Sequence, residues 1–194
     1  MTVMNTVDTD RPLRADARRN RERILVSARE VFAEHGVDAQ MDEVAARARV
    51  GVGTVYRHFP TKDAMVAELV RNKFRLFADE VRAALDRHGE PFALLAETLR
   101  RNAEVCARDA SLQHALTSAG DKVWHQARSE QQELNGLTGE LIARAQRAGT
   151  MRSDVNATDI AMLMCGVSAT MAHNGPDFDW HRHLDLAIDM LRAS

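Results

Sequence analysis

Apolar positions recur along this chain at intervals of three and four. Ile24, Ala28, Val31 and Phe32 form one such stripe, and Val66, Leu69, Val70, Phe74, Phe77 and Val81 form a longer one. That is the period of a helix burying one face. No run of five or more residues alternates apolar with polar in the manner of a half-buried strand. The four prolines, Pro12, Pro60, Pro91 and Pro176, stand where the periodicity stops or starts, because helix interiors exclude proline. The pattern predicts an all-α chain of about nine helices, over residues 17–35, 41–48, 52–58, 62–87, 92–108, 111–119, 122–148, 157–173 and 180–192. Gly36 is placed to stop the first helix, Thr61 to cap the fourth, Pro91 to open the fifth and Asn156 to cap the eighth.

Composition narrows the class. The chain has 194 residues, 45% of them hydrophobic, 28% charged and 5% aromatic, which excludes a disordered or collagen-like polymer. The most apolar stretch, residues 160–172, is broken by Gly166, Ser168 and Thr170 and falls short of the roughly 20 residues that span a bilayer. No apolar core marks the first twenty residues as a secretion signal, and Cys106 and Cys165 suit a reducing compartment. A cytoplasmic protein without a membrane segment is expected.

Charge is unevenly spread. Residues 11–62 hold eleven Arg and Lys against seven Asp and Glu, a net +4, whereas residues 63–194 hold 15 against 19, a net −4. Six arginines (Arg11, Arg14, Arg18, Arg19, Arg21, Arg23) fall within thirteen residues. They suit either an arm that seeks phosphates or a solvated helix face.

Residues 36–62 carry the functional signal. A small-residue helix with Val44, Ala45 and Ala48, a tight connection at Arg49, Val50 and Gly51, and a short helix bearing Thr54, Tyr56, Arg57 and His58 have the proportions of a helix-turn-helix. Alanines allow close helix packing, while the second helix offers hydroxyl, phenol, guanidinium and imidazole groups to a surface rich in acceptors. Tyr56 is the chain's only tyrosine.

Arg23-Ile24-Leu25 with Ala28, Phe32 and Gly36, then Val44-Ala45 with Ala48 and Val50, then Gly53 to Phe59 with Lys62, resemble the DNA-binding domain of the TetR family of bacterial transcriptional regulators. The resemblance implies a flexible basic arm over residues 1–16, a helix-turn-helix domain over 17–62, and a ligand-binding and dimerisation domain over 63–194. Thr54, Tyr56, His58 and Lys62 match positions that hold phosphates or base edges in the family. Val52, Gly53 and Arg57 then become the variable readers, Arg57 suited to guanine and Val52 to a thymine methyl. Three positions depart from the family pattern. Gln40 replaces the usual Ser or Thr cap, Arg49 replaces a glycine of the turn and is placed to reach a phosphate, and Gly51 replaces a Ser cap.

The resemblance further implies a palindromic double-stranded DNA operator, a homodimer, a small-molecule effector and no enzymatic step or cofactor. Phe92, Leu95, Leu99, Cys106, Trp124, His125, Met164, Val167 and Met171 are the expected pocket residues; methionines at these spacings also suit ordinary core. Leu163, Gly166 and Thr170, with the stripe Leu184, Ala187, Ile188 and Leu191, are the expected dimer interface. No metal is expected, since His181 and His183 would point to divergent faces of a helix and neither cysteine has a partner at zinc-site spacing. The main alternative is a ligand-independent regulator whose C-terminal part only dimerises or binds a protein. A small-molecule enzyme is the weaker alternative, because the chain lacks a phosphate loop, a nucleophile elbow and a convincing acid/base pair.

Overall fold

Residues 10–108, 119–171 and 179–193 are described by the structure, a computed structural model. The described residues form α1 (Asp10–His35), a 3-10 turn (Gly36–Asp38), α2 (Met41–Ala48), α3 (Val52–His58), α4 (Lys62–Leu85), α5 (Pro91–Arg108), α6 (Asp121–Gln126), α7 (Arg128–Arg147), α8 (Ala157–Met171) and α9 (Trp180–Asp189). No β-strand occurs among them; one isolated antiparallel bridge joins Met151 to Arg192.

The helix boundaries follow from local chemistry. Gly36 leaves α1 at a positive φ of 57°, a region open to glycine without steric cost. The Thr61 hydroxyl accepts from the Ala64 N–H at 3.0 Å, and the Glu90 carboxylate accepts from the N–H groups of Phe92 and Ala93 at 2.8 and 2.7 Å, just before Pro91 opens α5. Asn156 Oδ1 accepts from the Thr158 N–H at 2.8 Å while the Asp159 carboxylate accepts from the Asn156 N–H at 2.9 Å, a reciprocal cap on α8.

Two expectations need correction, and a third falls almost wholly outside the described residues. The arm expected over residues 1–16 is helical from Asp10 onward and continuous with α1, because its arginines and Ala15 are good helix formers; residues 1–9 lie outside the described residues. The single helix expected over 122–148 breaks at Ala127 (φ −100°, ψ 7°), giving α6 and α7. The helix expected over 111–119 lies outside the described residues except for Ala119, which is not helical.

Two apolar cores explain the break at Ala127. The first gathers Ile24, Phe32, Val44, Val55, Phe59 and Met65 from α1 to α4, and Val123 and Ala127 close it from the far end of the chain. The second gathers Val81, Phe92, Leu95, Leu141, Val167 and Ile188 from α4, α5, α7, α8 and α9. The bend lets α6 seal the first core while α7 serves the second. The cores divide within α4, between Val70 and Val81, beyond the 62/63 boundary expected from sequence. Both cores therefore share one continuous helix, and truncating a buried anchor such as Phe32 (2% exposed) to alanine would cost about 3 to 5 kcal/mol.

Candidate functional sites

Val55 of α3 and Phe59 just after it are buried in the first core, four residues apart, and this fixes which side of the helix faces outward. Tyr56 is 45% and Val52 39% exposed; Arg57 and Gly53 are also exposed, and Thr54 and His58 are half-buried. A Cβ built on Gly53 meets nothing within 4 Å, so the backbone there is open to a close external surface. The α2–α3 turn depends on Arg49, the one non-glycine residue with positive φ among the described residues (φ 53°, ψ 48°). Its N–H donates to Ala46 O at 3.1 Å, and the Val50 N–H donates to Ala45 O at 3.1 Å, closing α2 as a glycine would. Arg49 and Gln40 are exposed on the same unit, and the Glu43 carboxylate accepts from the Gln40 N–H at 2.9 Å. Lys62 is half-buried, with its ammonium 5.6 Å from the centroid of the Phe32 ring, so its charge is anchored on the core.

Several of the arginines before α2 are already engaged. Arg19 pairs with Asp16, and Arg23 donates to Asn20 Oδ1 at 2.9 Å. Arg21 reaches Glu68 Oε2 at 2.8 Å and lies 5.1 Å from the Phe59 ring centroid. Arg18, Arg19 and Arg23 remain on an exposed helix face; the side chains of Arg11 and Arg14 lie outside the described residues.

A cavity of about 180 Å³ opens between α4, α5, α7 and α8, with Trp124 of α6 at one end. Leu95, Leu99, Cys106, Trp124 and Met164 line it as expected from sequence. Phe92, His125, Val167 and Met171 do not. Phe92 turns into the second core, with the Arg192 guanidinium 4.7 Å from its ring centroid. His125 is exposed on an open groove with Asp121 and Lys122. Val167 and Met171 are buried in the second core, Val167 on the α8 side that meets Leu184 and Ile188. Helical spacing alone does not distinguish wall from core on adjacent stripes.

The expected dimer stripe also needs correction. Leu184, Ala187, Ile188 and Leu191 are each under 5% exposed, packed against Leu163 and Val167 of the same chain. An amphipathic helix buries its most apolar stripe in its own subunit first. The apolar and small residues left outward include Met162, Cys165, Gly166 and Ala169 on α8 and Leu186 and Met190 on and just after α9, with Leu186 52% and Met190 61% exposed. Leu163 and Thr170 are half-buried, and Thr170 Oγ1 lies 3.3 Å from His183 Nδ1. His181 instead meets Glu104 at 3.1 Å, so the two histidines diverge.

Residues 24–69 match bacterial regulatory proteins of the tetR family, and residues 90–193 match the C-terminal domain of SbtR-like transcriptional regulators. The HTH-type transcriptional repressor KstR of Mycolicibacterium smegmatis is 30% identical over 179 residues, covering 90% of this chain and 87% of KstR. The chain belongs to the TetR family. Among solved structures, a TetR regulatory protein from Mycobacterium vanbaalenii is 38% identical, covering 94% of this chain and all of the other with a TM-score of 0.66. The TetR regulator SCO0520 of Streptomyces coelicolor is 30% identical, with 90% and 99% coverage and a TM-score of 0.65. This TetR-family chain is therefore a DNA-binding transcriptional regulator, and no helix among its described residues is long and apolar enough to cross a membrane.

Two features of this TetR-family chain escaped sequence reasoning. The Glu68 carboxylate, 5% exposed, accepts from Arg71 Nη2 at 2.5 Å and Arg75 Nη1 at 3.2 Å as well as pairing with Arg21; Arg75 continues to Glu130 of α7 at 2.6 Å. Burial by itself raises the Glu68 pKa, yet hydrogen bonds from Arg21 and Arg71, with their charges, outweigh it and hold the carboxyl below its usual range. The network ties α1, α4 and α7 together. The second feature is the α4 wall of the cavity, where Val70, Phe74, Phe77 and Val81 join it. Their spacing was visible in the sequence; that they face a void was not.

Proposed function

We propose that this regulator is a homodimeric repressor released from a palindromic operator by a small molecule held in the cavity. In this reading residues 17–62 read DNA through Val52, Gly53, Thr54, Tyr56, Arg57 and His58, with Gln40, Arg49 and Lys62 at the phosphates. Residues 63–194 bind ligand and dimerise through the outward face around Met162, Gly166, Leu186 and Met190. The name of the relative KstR, a transcriptional repressor, supports the sign of regulation.

One observation carries the proposal. The N-terminal half of α4 is part of the first core, beneath the helix-turn-helix, and its next turns line the cavity at Val70, Phe74, Phe77 and Val81. A ligand that shifts α4 tilts the unit resting on it. Two recognition helices fit successive major grooves only when about 34 to 36 Å apart. A ligand favouring another spacing weakens DNA binding by its differential affinity for the two states. A void in the C-terminal half also supports this reading over the ligand-independent alternative.

The test is Met164→Trp, which puts a bulky ring into the cavity from a half-buried wall position. Operator affinity should persist while release by any inducer is lost. Release as efficient as in the wild type would refute the cavity as the effector site.

A further inference from the structure

Asn102 interrupts an otherwise mostly apolar stripe of α5, Leu95, Leu99 and Cys106, that faces the cavity. Its Oδ1 is the one buried side-chain nitrogen or oxygen among the described residues that has no hydrogen-bond partner. The residue is only 7% exposed. Buried polar atoms in native proteins are almost always paired, and an unpaired one destabilises the fold that retains it. The neighbouring Thr98 hydroxyl cannot relieve it, because that hydroxyl donates to Leu94 O at 2.8 Å.

Charge narrows the chemistry. Among the described residues on the wall Lys73 is the one charged side chain, and its ammonium rests 5.5 Å from the Phe77 ring centroid. No carboxylate joins it among the described residues. A cavity of about 150 Å³ in an apolar core accommodates benzene, so about 180 Å³ suits a ligand of roughly six to ten heavy atoms.

We infer that the cavity takes a small, mostly apolar molecule without a positive charge, bearing one hydroxyl or N–H group that donates to Asn102 Oδ1 once the amide turns toward it. This rests on the ligand-responsive reading of the same cavity. Leu95, Leu99 and Phe77 supply the apolar contact, and Asn102 supplies the discrimination. A site built to pair a polar ligand atom penalises the analogue lacking it, since the protein's own group is then left unpaired.

The experiment uses four probes of nearly one shape: 4-ethylphenol, ethylbenzene, 4-ethylanisole and 4-ethylbenzoate. Each is titrated calorimetrically into the full-length wild type and into Asn102→Leu. The wild type should bind 4-ethylphenol best, and its preference for 4-ethylphenol over ethylbenzene should fall about tenfold or more in Asn102→Leu. Referring the effect to a ratio cancels the shared apolar contribution. Removing an unpaired polar atom should leave the ligand-free variant at least as heat-stable as the wild type. If the variant does not fold, the wild-type ranking still decides. Equal binding of 4-ethylphenol and ethylbenzene, or tightest binding of 4-ethylanisole or 4-ethylbenzoate, would overturn the donor assignment while leaving the cavity reading standing. Failure of all four probes to bind would remove the cavity reading as well.

Discussion

Replacing Arg49 with glycine separates two roles of one residue. Arg49 sits in the left-handed region (φ 53°, ψ 48°), where a residue with a Cβ is strained by roughly 1 to 2 kcal/mol. Glycine removes that strain but adds conformational freedom to the unfolded chain worth about 0.4 to 1 kcal/mol. The side chain is exposed and its backbone hydrogen bonds do not depend on it, so the net effect is a gain of about 0 to 1.5 kcal/mol from these two opposing contributions. Arg49→Ala keeps the strain and loses the charge, and should be less stable than Arg49→Gly by about 1 kcal/mol. DNA binding moves the other way. If each subunit of a dimer neutralises one phosphate fewer, the slope of log K against log salt becomes shallower by about 1.8. Urea denaturation reads the first effect, and fluorescence anisotropy at several salt concentrations the second. An Arg49→Gly protein destabilised by more than about 1 kcal/mol would refute the turn argument. An unchanged salt slope would remove Arg49 from the DNA face.

Further outcomes follow from the same geometry. Tyr56→Ala should greatly weaken operator binding with little change in the melting curve, since Tyr56 is exposed while Val55 and Phe59 hold α3; anisotropy beside a thermal melt checks it. Glu68→Ala leaves three guanidinium groups without their shared carboxylate and should cost about 2 to 3 kcal/mol, discounted because those arginines are partly exposed, as read by urea denaturation. The folded-state pKa of Glu68 is depressed, so its stabilisation is complete above the ordinary value of 4.5 and is lost as pH falls below it. The stability gap between wild type and Glu68→Gln should therefore be constant from pH 7 to 5 and shrink below 4.5; a gap independent of pH would contradict the network. Leu186→Asp combined with Met190→Asp should yield monomers by light scattering, whereas a persistent dimer would place the interface elsewhere.

Local chemistry made much of this molecule legible in its sequence. The spans of α2 and α3, the Thr61 and Asn156 caps and the outward aim of Tyr56 all follow from spacing, capping chemistry and two buried anchors. What escaped was set by distant parts of the chain. Ala127 breaks a helix because Val123 and Ala127 seal a core more than fifty residues upstream. Leu184 and Ile188 look like an interface stripe, yet α8 of the same chain already covers them. Nothing in the sequence sets Asn102 and Glu68 apart from other polar residues of a helix; burial gives the first its orphaned oxygen and the second its ring of arginines.

The claim that α3 reads DNA as one half of a twofold assembly is tested most directly by selecting bound duplexes from a random-sequence pool with the purified protein. The expected result is an enriched inverted repeat whose half-site centres lie about 10 to 10.5 base pairs apart, or a multiple of that, and whose enrichment disappears with Arg57→Ala. Recovery of no common sequence, or of a single half-site without symmetry, would contradict it.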